Sequence, residues 1–152
     1  MVDWLVYLVA TVVVGSLVAF VIAMFKVGPG KPEFSFGKTL AFCLLGAGAT
    51  PFLYVEYMTR TKGPALQSAI HAWFRADDSI EGKLVGQKVL SMSGNSATVL
   101  VIGQEKSDWG GADRPIVRLH LTREGGKWTT DGAKILRSFR LGKDEFVFPP
   151  YQ

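Results

Sequence analysis

The chain has 152 residues, of which 48% are hydrophobic, and a formal net charge of +4. Its apolar residues are concentrated in the first third, whereas nearly all of its charged residues lie beyond residue 59. This distribution excludes a single domain of evenly mixed composition and predicts a membrane anchor followed by one small soluble domain. The single cysteine, Cys43, excludes a disulfide bond within the chain.

The first apolar segment, from Trp4 to Phe25, has 22 residues without a charge. At about 1.5 Å per residue, a helix of this length crosses a hydrocarbon core of about 30 Å. A secretory signal would have a basic start and a small-x-small cleavage site, but Asp3 is the only charge before this segment and no such site ends it. The sequence therefore predicts a retained transmembrane helix at about residues 4–25.

Small side chains recur at every fourth position of this helix and form a ridge along one face. The ridge consists of Thr11, Gly15, Ala19 and Ala23. Small residues let two helix backbones approach closely, which is how helices associate where lipid removes the hydrophobic driving force. The ridge is a candidate interface with a partner helix; the alternative is that glycine and alanine are simply frequent in membrane helices.

A second apolar segment follows a short connector. The connector, residues 26–38, contains two prolines and three glycines and is predicted to turn. Residues 39–55 then supply 17 uncharged positions. With Tyr57 and Met58 in the membrane interface, a second transmembrane helix is predicted at about residues 39–58.

Three features are predicted within this second span. Pro51 introduces a kink, and Gly46 and Gly48 present a flat surface just before it, which makes both glycines interface candidates. Glu56 lies at the end of the span, one helical turn before Arg60, so an ion pair near water is expected. The alternative for Glu56 is a role in a proton path or a quinone pocket.

The distribution of lysines predicts the orientation. The connector carries Lys26, Lys31 and Lys38, whereas no Lys or Arg precedes the first helix. The positive-inside rule places the connector in the cytoplasm, and two spans then place the C-terminal domain outside it. Arg60 and Lys62 lie beyond the second span and favour the opposite orientation. The predicted location is a bacterial-type inner membrane with an extracytoplasmic C-terminal domain.

Residues 1–62 are thus predicted to be the anchor, and residues 63–152 the soluble domain. A helix begins near Pro64 with one apolar stripe, formed by Ala65, Leu66, Ala69, Ile70, Trp73 and Phe74. Strands are predicted at residues 85–93, 97–106, 115–122, 128–136, 138–141 and 146–148. One helix followed by antiparallel strands predicts an α+β fold, with the helix on one face of a curved sheet.

Three stretches carry a resemblance to known proteins. They are SIEGKLVGQKV at 79–89, SGNSATVLV at 93–101 and RPIVRLHLTREGGKWTT at 114–130. In this order they resemble the cystatin-like and nuclear-transport-factor-2-like domains of membrane-anchored cytochrome oxidase assembly factors and inner-membrane translocase subunits. The resemblance implies the helix-on-sheet fold, and the second membrane segment departs from the single anchor of those proteins.

Catalytic and metal-binding patterns are not found in the sequence. His71 and His120 lack metal-ligand spacing, no serine lies in a nucleophile elbow, and no phosphate-binding glycine loop follows a strand. We therefore predict that the chain is not an enzyme, has no catalytic residue, and uses neither a metal nor a cofactor.

The loop at residues 103–115 has an unusual composition. Its carboxylates, Glu105, Asp108 and Asp113, lack the spacing of an EF-hand, so exposed carboxylates are favoured over a calcium site. Trp109 lies among charges and glycines, where an aromatic residue commonly contacts a partner or a membrane surface. Trp109 is therefore also an interface candidate.

Two functional classes remain. The first is a non-catalytic accessory or assembly subunit of a larger integral-membrane complex, respiratory or photosynthetic. The alternative is a membrane-tethered ligand-binding or secretion-scaffold domain, with a pocket between helix and sheet. From Arg60 onward the chain contains 14 basic and 10 acidic residues, and the basic residues are spread along it. Because these bases are not clustered, no nucleic acid is predicted as a partner, and the lipid bilayer or an acidic protein surface is favoured. The small-residue helix faces and the aromatic loop predict integral-membrane subunits as partners.

Overall fold

A computed structural model describes residues 2–26, 34–77, 80, 82–106 and 112–149. It contains two helices, α1 at Val2–Lys26 and α2 at Phe36–Ala76. Both are long and apolar enough to cross a membrane, which confirms the predicted apolar N-terminal helices. The 41 residues of α2 extend for about 60 Å, which is about twice the thickness of a hydrocarbon core. Only part of α2 can therefore lie inside a bilayer.

Helix α2 runs without interruption through Pro51 and Pro64, so the predicted start of a separate helix near Pro64 is wrong. A proline inside a helix costs about 3 kcal/mol, because it removes one hydrogen bond and crowds the preceding turn. Beyond Pro64, the helix buries Leu66 and Ile70 completely in a core shared with the sheet. Burying two such side chains stabilises the fold by about 3–6 kcal/mol, which offsets the cost of the proline.

The sheet is antiparallel and follows the helices in the chain. Its strands are β1 at Lys83–Ser93, β2 at Ser96–Lys106, β3 at Ala112–Asp113, β4 at Ile116–Glu124, β5 at Lys127–Ser138 and β6 at Lys143–Asp144. The main path has the order β1-β2-β4-β5-β6, and β3 pairs only with β2. Two helices and an open antiparallel sheet confirm the predicted α+β class.

The two faces of the sheet have separate cores. On the helix face, Leu66 and Ile70 of α2 pack with Val117, Leu119 and Leu121 of β4. On the second face, a smaller core consists of Leu100, Ile116, Leu136 and Val147, with Leu90 packed against it. Along β4, Val117 and Leu119 belong to the first core and Ile116 to the second, because successive side chains of a strand point to opposite faces.

Helix α2 also covers one edge of the sheet. The backbone N–H of Val89 in β1 donates to Thr59 Oγ1 at 3.0 Å. The side-chain amide of Gln87 donates to the carbonyl of Gly63 at 3.5 Å. An open edge presents unpaired backbone groups that can pair with another chain. These contacts protect the outer side of β1.

The end of the sheet differs from the prediction. Residues 138–141 do not form a new strand, because β5 ends at Ser138 and a turn follows, while residues 146–148 carry no strand. In the turn, the carboxylate of Asp113 accepts the Phe139 N–H at 2.8 Å, and the Phe139 carbonyl accepts the Gly142 N–H at 3.1 Å. These two bonds take the place of the strand pairing that an apolar pattern predicts.

The chain divides into two compact units. The first unit contains the described residues up to Tyr54, together with Phe148 and Pro149, and the second contains those from Val55 to Val147. Helix α2 contributes residues 36–54 to the first unit and residues 55–76 to the second.

Candidate functional site

In the first unit, α1 and residues 36–54 of α2 form an antiparallel helical hairpin. The small-residue ridge of α1 faces α2: a methyl group added to Gly15 would lie 2.8 Å from Leu44 Cδ2, and one added to Gly48 would lie 3.4 Å from Thr11 Cγ2. Ala19 is completely buried. The ridge therefore gives close packing within the chain itself.

Four aromatic rings pack together at one end of the helical hairpin. Tyr7 makes edge contacts with Phe52 and Phe148, with ring centroids 5.6 and 5.2 Å apart, and Trp4 stacks on Phe52 at 6.3 Å. The Tyr7 hydroxyl donates a hydrogen bond to the carbonyl of Gly48. Tyr7 is 8% exposed, so this bond satisfies a polar group that would otherwise be buried without a partner. The contacts hold the two helices together at this end.

A cleft of about 520 Å³ lies along the helical hairpin. Its lining consists of Tyr7, Ala10, Thr11, Val14, Val18, Cys43, Gly46, Ala47, Thr50, Pro51 and Phe148. The lining is mostly apolar, and two of its hydroxyls are already bonded within the hairpin: Tyr7 to Gly48, and Thr50 to the carbonyl of Gly46 at 2.7 Å. The cleft therefore suits an apolar occupant more than a ligand that needs several hydrogen bonds.

The interface candidates from the sequence lie in different environments. Thr11 and Gly46 line the cleft, and a methyl group added to Gly46 would meet no atom within 4 Å. Gly15 and Ala19 are buried, whereas Ala23 is half-buried. Gly48 packs against Thr11, and Trp109 lies outside the described residues. Only part of this set thus faces a space that another molecule could enter.

Nine of the eleven cleft-lining residues are absent from the sequence-based candidates, among them Tyr7 and Phe148. Tyr7 lies four positions before Thr11, so extending the ridge by one turn toward the N-terminus would have included it. Phe148 is far from α1 in the sequence, and no local pattern indicates its contact with Tyr7.

In the second unit, Glu56 has a partner on its own helix. Arg60 Nε donates to Glu56 Oε1 at 2.6 Å, which confirms the predicted ion pair. Both side chains are more than half exposed, so the pair contributes only about 0.3–0.5 kcal/mol. Burial lowers the pKa of Lys88 on β1, and the charge of Glu56 acts in the opposite direction. Glu56 thus interacts with two cations.

A row of basic residues crosses the second face of the sheet. Lys88, Arg118 and Lys134 lie in register on β1, β4 and β5, with Leu100 of β2 between the first two. Lys134 Nζ lies 2.8 Å from Glu145 Oε2. The hydrogen bond from Lys134 is the main cause that lowers the pKa of Glu145. Glu145 is thus the ion-pair partner of Lys134, the last residue of this row.

A second cavity, of about 460 Å³, lies beside the core of the second face. Its lining consists of Val85, Gly86, Ile102, Asp113, Arg114, Ile116 and Arg137. The guanidinium groups of Arg114 and Arg137 are of the type that binds carboxylates or phosphates, although Arg137 Nε already lies 3.3 Å from Asp144 Oδ1. This cavity is on the face opposite the helix, whereas the ligand pocket considered from the sequence lay between helix and sheet.

Both histidines and Asp113 make polar contacts within the chain. His71 Nε2 lies 3.5 Å from the side-chain amide of Gln67, and His120 Nδ1 lies 3.4 Å from Thr98 Oγ1. Asp113 accepts backbone N–H bonds from Arg114 and Phe139, both at 2.8 Å. Among the described residues, no group of three or more His, Cys, Asp or Glu side chains could hold a metal ion.

Comparisons with known proteins add no family to this description. No protein-family model, no curated protein and no solved structure matches the chain.

Proposed function

We propose that the chain is a non-catalytic accessory or assembly subunit of a larger integral-membrane complex, of the respiratory or photosynthetic kind. In this proposal the helical hairpin spans the bilayer and binds integral-membrane subunits. The second unit, called the sheet domain below, is of the cystatin-like or nuclear-transport-factor-2-like kind and contacts proteins at the membrane surface.

The main observation that supports this proposal is the open cleft of the helical hairpin. Its volume of about 520 Å³ can accept several apolar side chains, and its wall includes the small residues Ala10, Gly46 and Ala47. Small residues in a membrane helix allow a neighbouring backbone to approach closely. The occupant that fits best is a transmembrane helix of a partner subunit.

The bonding of the cleft hydroxyls favours a helix over a small polar ligand. A small-molecule site usually has a few convergent polar groups that fix the orientation of the ligand. Here the Tyr7 and Thr50 hydroxyls donate to carbonyls of α2 itself. A partner helix needs no such groups, because its own backbone hydrogen bonds are internal.

Replacing Gly46 by leucine should lower the yield of co-purified partner in mild detergent by about tenfold, because the new side chain occupies the cleft. The fold of the chain should persist, since a Cβ at Gly46 meets no atom within 4 Å. The measurement is quantitative mass spectrometry of the captured complex from native membranes.

Gly37→Leu is the matched control. It places the same side chain on the same helix, its Cβ also meets nothing within 4 Å, and Gly37 does not line the cleft. Equal partner yields for the Gly46 and Gly37 variants would contradict the proposal. Loss of a co-purified lipid without loss of protein would assign the cleft to an acyl chain and also contradict it.

We further propose that the membrane is a bacterial-type inner membrane and that the sheet domain is extracytoplasmic. The connector lysines support this orientation through the positive-inside rule. With Cys43→Ser as background, a cysteine replacing the exposed Asn95 should react with an impermeant maleimide added to intact spheroplasts, and one replacing the exposed Ser35 should not. The reverse labelling pattern would place the domain in the cytoplasm.

A further inference from the structure

The exposed large hydrophobic side chains of the second unit are concentrated between residues 139 and 146. Five are exposed among the described residues of the second unit: Tyr57, Val85, Phe139, Leu141 and Phe146. Three of the five lie within the eight residues from 139 to 146, and Phe139 is 75% exposed. Isolated exposed hydrophobics need no explanation, but a local group of them indicates an interaction surface.

The backbone beneath this group is held in place. Strands β5 and β6 pair through Arg137 and Asp144 and through Ser138 and Lys143. Between them, residues 139–142 form the tip of the terminal β-hairpin. The Phe139 N–H donates to the Asp113 carboxylate at 2.8 Å, and the Leu141 N–H donates to Ser138 Oγ at 3.3 Å. Phe139 and Leu141 are therefore displayed by an ordered turn.

The charge around the tip is positive. Residues 134–145 contain four basic residues, Lys134, Arg137, Arg140 and Lys143, and two acidic ones, Asp144 and Glu145. Both acidic residues are engaged by bases of β5, since Arg137 contacts Asp144 and Lys134 contacts Glu145. Arg140 and Lys143 are the basic residues nearest in the chain to the exposed Phe139 and Leu141.

We propose that the tip of the terminal β-hairpin, residues 139–142, inserts into the interfacial layer of a lipid leaflet that carries anionic headgroups. Phe139 and Leu141 enter the boundary between headgroups and acyl chains, while Arg140 and Lys143 contact lipid phosphates. Exposed apolar side chains flanked by bases bind such surfaces in two ways, through burial of their apolar area and through attraction to the anionic headgroups. This inference rests on the proposed membrane location of the helical hairpin.

The test places a fluorescent reporter on the full-length chain. In a Cys43→Ser background, Leu141→Cys is labelled with an apolar, environment-sensitive dye, and the protein is reconstituted into vesicles of phosphatidylcholine with phosphatidylglycerol. Lipids spin-labelled near the headgroup should quench the dye and its emission should shift to the blue. A dye at Asn95→Cys, in the exposed turn between β1 and β2, should remain unquenched.

The charge contribution has its own variant. Arg140→Gln combined with Lys143→Gln should lower the ratio of inserted to free tip about 30-fold, the equivalent of about 1 kcal/mol for each basic residue. The same loss should occur for the unmodified tip in vesicles of phosphatidylcholine alone. Equal insertion with and without anionic lipid would overturn the proposed role of the two bases.

A third reporter separates this inference from the proposed function. A dye at Val13→Cys, in the middle of α1, should be quenched by lipids spin-labelled deep in the acyl chains. Quenching at position 13 without quenching at position 141 would overturn the docking of the tip and leave the membrane anchor intact. Absence of quenching at position 13 would overturn the proposed anchor. A blue shift at position 141 that appears only in native membranes would identify a protein as the occupant and overturn the lipid proposal.

Discussion

Replacing Gly82 by alanine should destabilise the sheet domain by about 2–5 kcal/mol, the sum of backbone strain and overpacking. Gly82 has a φ of 141°, a conformation that residues with a Cβ rarely adopt. An added methyl group would also clash with the carbonyl oxygen of Gln104 in β2. Because that oxygen belongs to the backbone, the strand itself would have to shift.

Gly94→Ala is the matched control for this prediction. Gly94 also has a positive φ, of 54°, but its Cβ would meet nothing within 4 Å. Its replacement should cost only about 1–2 kcal/mol, since conformational strain is the single cost. Thermal unfolding of the full chain in detergent, followed by the circular dichroism of the sheet, compares the two variants. Equal melting temperatures would show that the contact with Gln104 is not tight in solution.

Leu66→Ala should cost about 2–5 kcal/mol, because Leu66 is completely buried in the core between α2 and the sheet. The cost combines the lost transfer free energy of the side chain with the cavity that it leaves. The measurement is hydrogen exchange of the β2 and β4 amides, whose protection reports the stability of this core.

Leu53→Ala provides the comparison on the same helix. Leu53 is 68% exposed and belongs to the first unit. Its replacement should change the protection of the strand amides by less than about 0.5 kcal/mol, as surface substitutions usually do. If Leu66→Ala changes protection no more than Leu53→Ala does, then Leu66 does not stabilise the core in the way its burial indicates.

Local patterns in the sequence were sufficient for several features of the fold. The uncharged run from Trp4 to Phe25 predicts α1, because a helix of that composition is stable only where its apolar surface is covered by lipid or protein. The alternation along residues 116–121 divides the side chains of β4 into two faces, since successive side chains of a strand point to opposite faces. The spacing of Glu56 and Arg60 predicts their ion pair, because side chains four residues apart lie next to each other on a helix.

Local patterns were misleading where distant residues contribute the deciding free energy. Pro64 predicts a helix start, yet α2 continues through it because Leu66 and Ile70 are buried in a core built largely from strands later in the chain. The apolar residues near Phe139 predict a strand, yet the carboxylate of Asp113, 26 residues earlier in the chain, binds the backbone of a turn there. Neither contact can be seen in a window of neighbouring residues.

The candidate site shows the same division. The sequence by itself determined that α1 carries a face of small residues, because spacing along a helix fixes which side chains share a face. Only the tertiary structure decided that Gly15 packs against Leu44 of the same chain, that Gly46 faces an open cleft, and that Phe148 contributes to its wall. A small side chain permits close approach without specifying what approaches, so the occupant of each position depends on how the two helices and the C-terminal segment pack.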